Sequence, residues 1–80
     1  MSSIDSVSLG KALRLLRIRQ SRRQNNVAAS AGLTKAMLSS YETGIRLPSI
    51  PSLGAILAAL EDDLHDLQNA LDEVRGSPAS

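Results

Sequence analysis

An all-α domain of five short helices is the fold this sequence predicts, and three observations predict it. Leu, Ala, Arg and Ser dominate while Tyr41 is the only aromatic residue, a composition suited to helices and aliphatic cores rather than sheets. Apolar positions recur every three or four residues rather than alternately. Glycine, proline and short hydroxyl or carboxylate side chains fall between these runs, where helices stop and start. Eighty residues make one domain with one modest core, burying only about 60% of the unfolded surface. With no cysteine, disulfides and thiolate-bound metals are excluded as staples, which leaves association with another chain.

Each element follows from its residues. Residues 1–6 are polar and expected to be a flexible N-terminus. The domain is expected over residues 7–75, opening with a helix from Val7 to about Ser21 that Ser6 or Ser8 caps. Leu9, Ala12, Leu13 and Leu16 form its inward stripe; Leu15 and Ile18 widen it, so another element should cover them. Arg22 and Arg23 connect to a second helix, Gln24 to Ala31, with Val27, Ala28 and Ala31 inward and Gly32 as its stop. Thr34 caps a third, Lys35 to Thr43, with Met37 or Leu38 and Tyr41 inward and Gly44 at its end. After a loop, Ser49 caps a fourth helix with Pro51 in its first turn, where a missing N–H does no harm. Its stripe is Leu53, Ile56, Leu57 and Leu60. The acids Glu61, Asp62 and Asp63 suit the start of a fifth helix, residues 63–75, carrying Leu64, Leu67, Leu71 and Val74. Gly76 ends it, and residues 76–80 are expected to be a disordered tail.

The net charge of +1 conceals a division. Up to Arg46 eight basic residues face two acids, a balance of +6; beyond it one faces six, a balance of −5. One face is thus suited to a polyanion and the other turned from it. No apolar run approaches the ~18 residues of a membrane span, and there is no signal-peptide pattern, so a soluble, cytoplasmic protein is expected. Catalysis has no cysteine, a single histidine and no nucleophile elbow to work with; an enzyme is not expected. His65 lies among Asp62, Asp63 and Asp66 without ligand spacing on one helical face, so it reads as a solvated residue. No metal and no cofactor are expected.

The informative stretch runs from Gln24 to Gly44. Two short helices that cross steeply need a small residue at their approach, here Ala28, and a positive-φ residue in the turn, here Gly32. Val27, Ala31, Leu33, Leu38 and Tyr41 anchor them from behind, which projects the second helix outward, toward a major groove. This stretch resembles the helix-turn-helix of the phage-repressor-like (XRE, lambda-repressor-like) transcriptional regulators, over about Leu9 to Leu67. The matches are Leu9-Gly10, Arg17, Gln24, Ala28, Gly32, the Tyr41-Glu42-Thr43-Gly44 close, and Pro48-Ser49.

The resemblance implies a five-helix lambda-repressor-like DNA-binding domain. It also implies that Lys35, Ala36 and Ser40 face base edges with Ser39 nearby, and that Arg17 and Glu42 form a structural ion pair. Lys35 can donate to guanine, Ala36 can meet a thymine methyl, and Ser40 can bond a base or a phosphate. Gln24, at a helix start, is expected to bind a phosphate, as is Arg46 just past the third helix. Two departures are visible. Arg23 replaces the Ser or Thr that usually caps the second helix, so Arg22 and Arg23 are read as phosphate contacts instead. Asn25 and Asn26 replace two residues that are usually acidic.

The expected function is sequence-specific binding of double-stranded DNA, operator-like and palindromic, by a homodimeric repressor or autoregulator. The alternative is an antitoxin-like protein-interaction module on the same fold, which binds a partner protein and its own promoter. A purely structural helical module is a third reading, and it would lack salt-dependent DNA affinity. With no room for a sensing domain, regulation is expected through concentration, partner binding or proteolysis. The dimer interface is expected on Leu67, Leu71 and Val74, with Leu64 and Leu67 docked on the domain. The competing arrangement folds Leu71 and Val74 back onto Leu15 and Ile18 of the same chain.

Overall fold

The computed structural model describes residues 5–76. Five helices follow in order: α1 (Ser6–Arg19), α2 (Gln24–Ser30), α3 (Lys35–Glu42), α4 (Ile50–Ala59) and α5 (Leu64–Val74). Among the described residues there is no strand. Apart from Asp5, Ser6 and Gly76, the expected flexible start and tail lie outside the described residues.

Side chains close the helix starts. Thr34 accepts from the Met37 N–H and Ser49 from the Ser52 N–H, as their positions predict. The first helix differs: Asp5, rather than Ser6 or Ser8, accepts from the Ser8 N–H, and this bond holds its carboxyl below the usual range. Asp63 and Asp66 cap α5 reciprocally, each side chain accepting the other's backbone N–H. Only α2 starts bare, because Arg23 makes no side-chain cap.

Three helices end in the same way. The N–H of Arg22 bonds the Arg17 carbonyl, that of Leu33 the Ala28 carbonyl, and that of Asp62 the Leu57 carbonyl. Each closure turns on a residue with positive φ: Ser21 at 54°, Gly32 at 73° and Glu61 at 57°.

The core is aliphatic. Leu9, Leu13 and Leu16 of α1, Val27 of α2, Leu38 and Tyr41 of α3, Ile56 and Leu57 of α4, and Leu60 are buried together. Helix α1 is central, packing along α5 and against α3, while α2 contacts α3 and α4.

This packing corrects the expected dimer interface. Leu67 is 4% exposed and Leu71 2% exposed, both within the core. Val74 packs against the same cluster and lines a shallow hollow with Leu15 and Ile18. Two neighbouring chains cannot share side chains that already fill one chain's interior. Leu64 departs in the other direction: expected to dock, it is 70% exposed.

Candidate nucleic-acid interface

The chain turns sharply between α2 and α3. Gly32 takes the left-handed conformation with open space around it, so the turn needs its backbone freedom rather than its small size. Ala28, fully buried, lies in α2, whose packing neighbour is α3. Leu38 and Tyr41 then hold one side of α3 in the core. On the opposite side Lys35 and Ala36 are exposed, and Ser39 and Ser40 are half-buried. The Ser40 hydroxyl donates to the Met37 carbonyl at 2.7 Å. Its hydrogen is thereby engaged, and toward a base it offers its lone pairs.

The orientation of α3 is set at its C-terminal end. The Glu42 carboxylate is almost fully buried and receives three bonds. Arg17 donates Nε to Oε2 at 2.7 Å and Nη2 to Oε1 at 2.9 Å, and Gln24 donates Nε2 to Oε1 at 3.1 Å. A third nitrogen of Arg17 donates to the Arg22 carbonyl at 2.8 Å. One carboxylate thus joins α1, the start of α2 and the end of α3. The hydrogen bonds to Glu42 raise the Arg17 pKa, keeping it charged. Close backbone approach reinforces the joint: a Cβ on Gly10 would lie 2.3 Å from the Tyr41 carbonyl oxygen.

The basic side chains divide by what they already hold. Arg17 is engaged by Glu42, Arg19 pairs with Glu73, and Arg22 donates to the Ala59 carbonyl at the end of α4. Gln24, expected on a phosphate, has one of its two amide hydrogens on Glu42. Arg14, Arg23, Lys35 and Arg46 are exposed, and none of them bonds a carboxylate among the described residues. Arg14, Arg23, Asn25 and Lys35 line one cleft, with Arg17, Arg22 and Gln24 along its wall. Arg46 lies beyond the other end of α3, its N–H on the Ser40 carbonyl. The sequence did not single out Arg14, which the fold brings to this cleft. Its signal was the spacing to Arg17, one helical turn along the same face.

A steep helix pair whose second member is pinned behind and bare in front, flanked by unpaired cations, defines a helix-turn-helix DNA-binding domain. The chain belongs to the helix-turn-helix domain family, whose model matches residues 8–70. Among solved structures it is similar to the restriction-modification controller protein C.AhdI from Aeromonas hydrophila. That match has 28% identity and a TM-score of 0.73, covering 76% of this chain and 92% of that one. It is similar also to the clp gene regulator ClgR from C. glutamicum, at 26% identity and a TM-score of 0.78, covering 98% and 97%. A mutant of the controller protein C.Esp1396I shares the fold at 21% identity and a TM-score of 0.79, covering 89% and 92%. No curated protein matched. Two of these neighbours are named as a controller protein and a gene regulator.

Proposed function

We propose that the chain binds duplex DNA sequence-specifically as a homodimer and acts as a transcriptional repressor or autoregulator. The observation that carries this reading is the outer side of α3, where Lys35 and Ala36 are exposed between cations that no carboxylate among the described residues bonds. Lys35 and Ala36 read base edges, with Ser39 and Ser40 beside them. Arg23 and Arg46 contact phosphates, Gln24 contributes its remaining N–H, and Arg22 joins them while holding α4.

With Leu67 and Leu71 in the core, the dimer needs another surface. Four of the six large apolar side chains exposed among the described residues are Ile45, Leu47, Ile50 and Leu64. Ile50 and Leu64 border an apolar groove with Leu53 and Leu57. A second copy is the occupant proposed here. A standard interface takes ~800 Å² per partner, and exposed apolar side chains of this size are what its centre buries. Ile45 and Leu47 lie in the loop after α3, and a two-fold axis beside them would offer two α3 helices to one duplex about one turn, ~34 Å, apart. A second reading gives the same patch to a different protein, as an antitoxin-like module requires; a wild-type chain that never self-associates would favour it.

Selection of bound sites from a random duplex pool tests the function. A palindromic preferred site is expected. Lys35→Ala and Ser40→Ala should each cost roughly 1–3 kcal/mol on it and relax preference at one position. Enrichment of no sequence would overturn the reading.

A further inference from the structure

Of the nine basic residues in the chain, Arg14 has no role in the expectations above and no bond among the described residues, yet it is placed with those that do. It sits on α1, outside the helix-turn-helix, and is exposed. Its side chain borders the cleft with Arg23, Asn25 and Lys35. Glu42, which bonds two residues of the cleft wall, is buried and accepts three bonds from Arg17 and Gln24. The cleft is therefore an uncompensated positive site. Arg14, Arg23 and Lys35 bring to its lining side chains that only donate, and Asn25 adds an amide N–H.

We propose that Arg14, with Arg23, forms a clamp for one backbone phosphate of the duplex beside the base-reading Lys35, at the end of α3 opposite Arg46. This inference rests on the DNA-binding reading and adds to it a residue from α1. The length scales agree. Helix α3 has eight residues, about 12 Å at 1.5 Å per residue, and the major groove is about 12 Å wide. Cations at both ends of a helix that lies in this groove come within reach of the phosphates that border it. Arg14 suits the task better than Arg17 or Arg22 because its guanidinium is not committed to the fold. Its planar fork can also take two phosphate oxygens at once.

The test is the salt dependence of binding to a random-sequence duplex, a probe that needs no knowledge of the operator. Arg14→Gln is expected to lower the slope of log K against log salt by about one, from a lost phosphate contact. It should leave the selected site sequence and the melting temperature unchanged. Arg14→Lys should keep the slope, because the charge stays. Arg19→Gln is the control, since Arg19 pairs with Glu73 on α5 and lies outside the cleft. A wild-type slope in Arg14→Gln, with Arg46→Gln lowering it, would overturn the clamp and leave the DNA-binding reading intact. A wild-type chain with no salt-dependent binding would overturn both.

Discussion

Glu42 shows how much one buried charge can organise. The Arg17 and Glu42 side chains are 13% and 3% exposed, and two parallel hydrogen bonds join them. Removing either partner strands the other in poor solvent, at a cost of about 3 kcal/mol. Urea unfolding of Arg17→Ala, Glu42→Ala and the double variant should therefore give a coupling energy of about 1–3 kcal/mol. The same cycle on Arg19 and Glu73, whose side chains are 48% and 51% exposed, should give less than about 0.5 kcal/mol. Equal couplings for the two pairs would mean that burial contributes nothing. The Arg17–Glu42 pair was legible because the motif resemblance places both residues. The Gln24 bond to Glu42 was not legible, because an amide at a helix start reads equally well as a cap or a phosphate donor.

At the scale of elements, what was legible depended on whether residue type and backbone need coincide. Gly32 and Gly44 mark helix ends because glycine is the usual left-handed residue, and both take positive φ. Ser21 and Glu61 do the same work with ordinary side chains, so nothing in their chemistry separates the end of α1 from its interior. Gly10 inverts the problem. Inside a helix it looks like a defect, and alanine there should gain about 1 kcal/mol from propensity alone. The fold predicts the reverse. Its added methyl would meet the carbonyls of Tyr41 and Glu42 at 2.3 and 2.7 Å, contacts that only a shift of α1 from α3 can relieve. Gly10→Ala should thus destabilise by about 2 kcal/mol net, a fall in melting temperature of roughly 10 °C for a domain this size. Unchanged or raised melting would show that α1 and α3 do not approach as closely as this.

For the whole molecule, the division of charge follows the fold: Arg23, Lys35 and Arg46, which no carboxylate among the described residues bonds, flank α3, while Asp63, Asp66, Asp72 and Glu73 lie on α5 or its cap. The fifth helix also shows where reading a sequence stops. Spacing at Leu64, Leu67, Leu71 and Val74 reveals that a face is covered but not what covers it, and α1 of the same chain is the cover for the last three. Three of the six large apolar residues exposed among the described residues, Ile45, Leu47 and Ile50, sit in a loop and a helix start, where no periodicity singles them out. They allow the proposed dimer to be tested against the earlier interface. Ile50→Asp and Leu64→Asp alter residues 81% and 70% exposed in the monomer, so each should keep its fold and melting temperature. In a two-fold interface each change is counted twice. Sedimentation should therefore show the dimer weakened at least a hundredfold, about 2.7 kcal/mol, with operator affinity falling in step. Leu71→Asp should instead unfold the chain, because that side chain is 2% exposed and the carboxylate has nowhere to hydrate. A folded Leu71→Asp variant that is monomeric, beside Ile50→Asp and Leu64→Asp variants that still dimerise, would return the interface to α5. A wild type that stays monomeric at tens of micromolar, free and on a palindromic duplex, would remove the dimer altogether.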